Sequence, residues 1–344
     1  MARRKLTRRQ AWRIEKIQQE RRTRAHKRET QLDTQLNEGE LGAEQEGLVV
    51  AHYGTMVDIE PVTKTSVRRC HLRSNLGSLV TGDRVIWRNG NPHGVAVAVL
   101  QRSSELMRPD NHGQIKTIAA NIDCIFIVIA PYPRAYANLI DRYLVAAETL
   151  GIKPVILLNK SDRIDNDNRE TMEQLLLSYR NLGYRTLSIS TKSGQGLERL
   201  ISYLIDCTSI FVGQSGVGKS SLINALLPHA NTRVGKLSEA LQKGTHTTTT
   251  AQLFHLPVGG NLIDSPGIRE FGLWHMEPQQ VLEGFVEFRP FLGRCKFRDC
   301  AHRREPGCAI EQALLRGDIS RERMGSLRQI LASLESAAGK TSNY

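Results

Sequence analysis

Eight residues constrain this chain more than any others. Gly213-Gln214-Ser215-Gly216-Val217-Gly218-Lys219-Ser220 matches G-x-x-x-x-G-K-[ST]. An apolar run at 209–212 precedes it, and helical spacing over 219–227 follows. The motif has meaning only where a strand ends and a helix begins. Its glycines let backbone N–H groups point inward at phosphate oxygens, and the helix N-terminus adds partial positive charge. Lys219 then reaches the β- and γ-phosphates of a nucleotide, and Ser220 is placed to hold Mg²⁺. The nucleotide-binding set extends to Ser221.

The surrounding sequence agrees. From about residue 111, apolar strands (121–130, 155–158, 186–190, 209–212, 261–263) alternate with helical segments (139–150, 169–182, 197–205). This alternation predicts a parallel sheet with helices on both faces. Ligands of such sheets sit at the carboxyl ends of the strands.

Asn159-Lys160-Ser161-Asp162 follows the strand at 155–158 and resembles the N-K-x-D guanine-reading motif of GTPases. A carboxylate at Asp162 accepts from both N1–H and the exocyclic amine of guanine. Adenine offers no such pair of donors. Asn159 and Lys160 would hold neighbouring loops and flank the base. Ser190-Thr191-Lys192 follows the next strand and looks like the element that supports the base. Asp264-Ser265-Pro266-Gly267 resembles D-x-x-G, with Asp264 near Mg²⁺ and the Gly267 N–H sensing the γ-phosphate. Either Thr247 or Thr248 is the switch threonine; spacing does not choose, and Thr248 is carried forward as the candidate. The guanine motif precedes the phosphate loop, which precedes the switches. This is a circularly permuted order, tolerated because a sheet needs its strands in place rather than in one chain order.

Three of the six cysteines crowd into Cys295-x4-Cys300-x-His302-x5-Cys308. Three thiolates and an imidazole suit tetrahedral Zn²⁺ with no open position, a structural site rather than a catalytic one. Cys70, Cys124 and Cys207 stand alone and are expected in the interior.

Charge is uneven. Residues 1–30 hold twelve Lys/Arg and three acids, a net of +9 out of +12 for all 344 residues. Few apolar residues interrupt this tail, so it is expected to lack a core and to serve either as a solubilising segment or as an arm for phosphate polymers. Residues 47–108 read as five short strands (47–53, 56–60, 67–73, 83–88, 95–100) between turn residues, which fits a small barrel such as an OB-fold. Tyr53 and Trp87 are its aromatic candidates, for base stacking or for the core. The longest apolar run, 124–130, is far short of the roughly 20 residues of a membrane span. No apolar N-terminal stretch suggests a secretory signal.

The order N-K-S-D, G-Q-S-G-V-G-K-S, H-T-T-T, D-S-P-G, then C-x4-C-x-H-x5-C closely resembles the bacterial ribosome small-subunit-dependent GTPase A family (RsgA, also called YjeQ). The match runs from about residue 47 to 330. The resemblance implies a multidomain α/β protein behind the basic tail at 1–40, which it does not constrain: an OB-fold β-barrel at 41–110, a circularly permuted GTPase domain at 111–275 and a zinc-binding, mostly helical domain at 276–344. It implies a cytoplasmic, monomeric GTP phosphohydrolase acting late in 30S subunit assembly. Its partners would be the 30S subunit, 16S rRNA and GTP/GDP, with Mg²⁺ and one Zn²⁺. Ile268 follows Gly267, where Ras-type GTPases carry the glutamine that orients the attacking water, so turnover by the chain alone should be slow. His246 is either the missing polar group, brought in by the subunit, or a structural residue of the switch loop. Two other readings compete: an RNA-binding module stabilised by nucleotide, and an ATPase, which Asp162 weakens.

Overall fold

A computed structural model of the chain describes residues 41–73, 76–109, 114–227, 251–264, 276–303 and 305–341. The basic tail, His246, Thr247, Thr248, Gly267 and Ile268 lie outside them. The chain clusters into two compact units. One comprises residues up to 79 and 84–101; the other comprises 80–83 and everything from 102 onward.

The first unit is a five-stranded barrel. Its strands are β1 (Glu44–His52), β2 (Met56–Pro61), β3 (Arg68–Leu72), β4 (Arg84–Arg88) and β5 (Gly94–Val99). They close in the order β1-β2-β3-β5-β4-β1, antiparallel except for the β3–β5 pair. Alternation explains the closure: β2 buries every second residue, and Val57 and Ile59 point inward. The interior is Val49, Val57, Ile59, Cys70, Leu79, Val85, Trp87 and Ala96. Trp87 is therefore a core residue, 1% exposed, and its face is closed to a base. Tyr53 stays on the surface, with the Arg69 guanidinium 4.3 Å from its ring centroid. Arg69 is itself held by both oxygens of Asp58.

The second unit opens with a hairpin, β6 (Glu105–Pro109) with β7 (Ile115–Ala120), whose mixed sequence gave no clear strand signal. Then come β8 (Cys124–Ile129), α1 (Ala137–Thr149), β9 (Lys153–Leu158), α2 (Arg169–Asn181), β10 (Arg185–Ser188), α3 (Leu197–Leu204), β11 (Thr208–Val212) and α4 (Lys219–Leu226). A last pair, β12 (Gln252–His255) and β13 (Asn261–Asp264), completes the sheet. Strands β10-β9-β8-β11-β13 are parallel, and β12 pairs antiparallel with β13. All six residues of β8 are buried, as a central strand covered on both faces requires. The core on one face joins Phe126, Val128, Leu157, Phe211, Leu222 and Leu262.

Three further helices follow: α5 (Pro278–Gly284), α6 (Ala309–Arg316) and α7 (Arg321–Thr341). Helix α7 buries Arg323, Met324, Ser326, Leu327 and Ile330, a stripe at helical spacing. Its buried arginine ties three segments together. Arg323 donates to Asp141 of α1 at 2.5 Å and, through two nitrogens, to Glu287 at 2.6 and 3.1 Å. The Tyr179 hydroxyl of α2 donates to the same Asp141 oxygen at 2.6 Å, and Phe285 stacks 4.4 Å from the guanidinium. Burial pushes the Asp141 carboxyl above its ordinary range, against the pull of Arg323 and Tyr179.

Candidate nucleotide and metal sites

The parallel strands bring the described nucleotide-site candidates to one edge of the sheet. Asn159 follows β9, Ser190 lies two residues past β10, Gly213 follows β11, and Asp264 ends β13. Asn159, Ser190, Lys219 and Asp264 are all buried.

The phosphate loop is shaped by two glycines. Gly213 has φ +135°, and a Cβ there would sit 2.2 Å from the Val128 carbonyl oxygen of the adjacent strand. Gly218 has φ +94°, and a Cβ there would meet Asn159 Nδ2 at 2.5 Å. A side chain at Gly213 would collide with backbone, and one at Gly218 would sit in a strained conformation and displace Asn159. Helix α4 starts at Lys219, directly after Gly218, so its free N–H groups face the loop. Lys219 Nζ donates to the carbonyls of Gly213 (2.5 Å) and Gln214 (2.7 Å), which holds the ammonium across the mouth of the cradle. Ser215 and Gly216 form its exposed tip, Val217 is buried beneath it, and Ser220 is half-buried on the first turn of α4. Ser221 is exposed on the same turn.

The N-K-S-D segment is bolted to this loop. Asn159 Nδ2 donates to Val217 O at 3.0 Å, and Lys160 Nζ donates to Gly216 O at 2.5 Å. Lys160 also donates to Tyr132 O at 3.2 Å and takes a left-handed conformation, φ +58°. Asn159 Oδ1 and Ser161 Oγ are buried without a hydrogen-bond partner among the described residues. Buried polar atoms are costly unless satisfied, so a polar ligand edge would be welcomed there. Asp162 is exposed and accepts from Ser190 Oγ at 2.5 Å. Ser190 Oγ in turn accepts from the Ser193 N–H at 3.1 Å. The hydrogen bond from Ser190, more than the positive charges of Lys192 and Arg163, holds the Asp162 carboxyl below its usual range. The ionised form, which can accept from two donors, is thereby favoured at Asp162.

One segment of the site escaped the sequence reading. Residues 131–136 follow β8 and wrap the phosphate loop: Tyr132 O takes Lys160, and Arg134 O takes Gln214 Nε2 at 3.4 Å. The only hint was Pro131-Tyr132-Pro133 directly after an apolar strand.

In the C-terminal part, Cys295, Cys300, His302 and Cys308 converge, with their ligand atoms all within 4.8 Å of one another. His302 Nδ1 lies 3.5, 3.6 and 3.4 Å from the sulfurs of Cys295, Cys300 and Cys308. Cys295 and Cys308 sulfurs are 3.9 Å apart. Tetrahedral Zn²⁺ with Zn–S of about 2.3 Å demands S···S near 3.8 Å, and somewhat less for N···S. The donor set fits. The Ala309 N–H, at the start of α6, points at Cys295 Sγ from 3.4 Å and favours a thiolate. Burial lowers the His302 pKa, which keeps the ring neutral, as a ligand must be. As a free thiol Cys300 is pushed up to about 12, by desolvation first and then by Cys308 and Cys295. A metal taking that sulfur displaces the proton. Glu305, absent from the sequence reading, accepts from the N–H groups of Ala301 (3.0 Å) and Arg303 (2.5 Å) and shapes the turn that carries His302. Of the isolated cysteines, Cys70 and Cys124 are buried and Cys207 is partly exposed. Among the described residues no helix is long and apolar enough to cross a membrane.

Known proteins match this arrangement. The RsgA GTPase family model matches residues 99–274. Proteins named small ribosomal subunit biogenesis GTPase RsgA, from Ectopseudomonas mendocina and Azotobacter vinelandii, are 60% and 58% identical over 338 residues. Each alignment covers 97% of this chain and 98% of the relative. The crystal structure of YjeQ from Thermotoga maritima superposes with a TM-score of 0.70 at 30% identity, covering 85% of this chain and 99% of that one. YloQ, described as a circularly permuted GTPase, gives 0.67 at 26% identity, covering 86% and 96%. A G-x-x-x-x-G-K-S loop bolted to an N-K-S-D segment that precedes it in the chain, a five-stranded barrel and a Cys₃His cluster occur here together, and with these matches they place the chain in the RsgA GTPase family.

Proposed function

We propose that this chain is a GTP phosphohydrolase of late small-subunit maturation in the cytoplasm. It binds the 30S subunit and its 16S rRNA in the GTP state as a monomer. The subunit stimulates hydrolysis to GDP and phosphate, and the protein is then released. The observation that carries the reading is the pair of ties from Asn159 and Lys160 to Val217 and Gly216. They make one pocket from a guanine reader and a phosphate cradle. Near full-length identity to relatives named for small ribosomal subunit biogenesis supplies the partner.

In this reading Asp162, steadied by Ser190 and flanked by Lys192, selects guanine. The loop Gly213–Ser220 and the first turn of α4, through Ser221, hold the phosphates. Lys219 neutralises charge that develops on the transferred group, and positioning supplies most of the remaining rate. Ser220 and Asp264 would hold Mg²⁺, which supplies further charge stabilisation. Thr248 and Gly267 are the proposed γ-phosphate sensors, and His246 the polar group that the subunit brings into play. Cys295, Cys300, His302 and Cys308 would hold a structural Zn²⁺. The proposed divisions are a basic tail at 1–40, a barrel at 41–110, a GTPase domain at 111–275 and a zinc-binding domain at 276–344.

The test is GTP turnover across a titration of purified 30S subunits at several salt concentrations. Slow turnover alone, rising to saturation with 30S and weakening with salt, is the expected result. Nucleotide binding with no 30S-dependent turnover would overturn it in favour of a non-enzymatic binding module.

A further inference from the structure

The loop between the first two cysteines of the metal cluster carries an unusual surface. Phe297 is 47% exposed. Lys296 Nζ stands 5.5 Å from its ring centroid, and Arg294 and Arg298 are exposed on either side. Several other arginines in this part of the chain are neutralised: Arg289 by Glu148, Arg303 by Glu335, Arg316 by Asp318 and Arg328 by Glu311, although, among the described residues, exposed Arg321 is not. Among the described residues Arg294, Lys296 and Arg298 make no ion pair.

The loop is also held in place. Cys295 and Cys300 fix its two ends at the metal cluster, and the Lys296 N–H donates to Gly307 O at 3.0 Å. An aromatic ring presented on a pinned loop loses little conformational entropy when something stacks on it. Three cations in the segment that carries a single exposed ring, against one exposed carboxylate, Asp299, argue against a protein partner, because the centres of protein interfaces are depleted in charge. They suit a polymer that offers flat faces and phosphates together. Duplex RNA hides its base faces, whereas single strands expose them.

We propose that the loop 294–298 is a stacking platform for an unpaired RNA base, with Phe297 against the base and Arg294, Lys296 and Arg298 on the flanking phosphates. The choice of RNA rests on the small-subunit partner proposed above; the stacking mode rests on the loop itself.

The experiment uses the full chain with its metal bound and a fluorescently labelled, unstructured single-stranded RNA. Phe297→Ala should weaken binding by about 5- to 150-fold, the range for loss of one stacked base. The salt dependence should stay the same, because no phosphate contact is removed. Phe297→Trp should restore affinity. Arg298→Ala should flatten the salt slope by about one. Ultraviolet irradiation should cross-link the RNA to the peptide containing Phe297. Unchanged affinity in Phe297→Ala, equal losses on single-stranded and duplex RNA, failure of Phe297→Trp to restore, or no cross-link at Phe297 would each overturn the proposal. Turnover of GTP by the unaltered chain with 30S subunits is measured alongside. Stimulation without stacking sinks only the platform; stacking without stimulation sinks only the proposed GTPase role.

Discussion

Ser190 Oγ lies 2.5 Å from Asp162 Oδ1 and donates to it across 28 residues of chain. A buried hydroxyl thereby sets both the orientation and the acidity of an exposed carboxylate. Asp162 has a depressed pKa, so its ionised form persists well into the acid range, and guanine recognition should be lost only as pH falls through that low value. In Ser190→Ala the carboxyl returns toward its ordinary range, and the loss should begin at higher pH. Calorimetric GDP affinity measured from neutral to acid pH checks this; superimposable profiles for the two proteins would contradict it.

Selectivity should reside in Asp162 itself. Asp162→Asn replaces an acceptor with a group that presents a donor to guanine's own donors. The preference for GTP over ATP should fall by at least about tenfold, with the fold intact because the side chain is exposed. Competition of both nucleotides against a fluorescent GDP analogue reads this directly.

Asn159 is fully buried and joins the two halves of the pocket through Val217 O. Asn159→Ala removes that tie and leaves a carbonyl unsatisfied, at a cost of about 1–3 kcal/mol. Nucleotide affinity and thermal stability should drop together. A variant that lost affinity at unchanged melting temperature would show that Asn159 acts on the base alone.

Arg323 is the only positive charge directly bonded to both Asp141 and Glu287 among the described residues. Arg323→Met strands two buried carboxylates and should destabilise the chain by about 3–5 kcal/mol. Adding Asp141→Asn and Glu287→Gln should recover part of this. Chemical denaturation of the single and triple variants supplies the comparison.

Metal removal should act locally. The unaltered chain should carry one zinc, and Cys300→Ser should lower that content and loosen the segment 295–308, while nucleotide binding at Gly213–Ser220 persists, since no residue of the Cys₃His cluster belongs to that loop. Elemental analysis paired with GDP titration tests the separation.

Contiguous features were legible without any structure. Gly213–Ser220, Asn159–Asp162 and Cys295–Cys308 are each short stretches whose spacing dictates local backbone, and the apolar strands announced themselves through burial on both faces. The barrel strands were readable as short segments set between turn residues. The hairpin β6–β7 was not, because Glu105-Leu106-Met107-Arg108-Pro109 has no clean alternation.

What the amino-acid order decides by itself is therefore local: turn, cap, ligand spacing and the kind of chemistry each motif serves. Only tertiary packing decided that Trp87 faces the barrel interior, that Asn159 reaches Val217 58 residues away, and that Arg323 meets Asp141 across 182. The physical reason is range. Backbone dihedrals respond to neighbours a few residues apart, whereas these partners are chosen by which faces bury together once the sheet has formed.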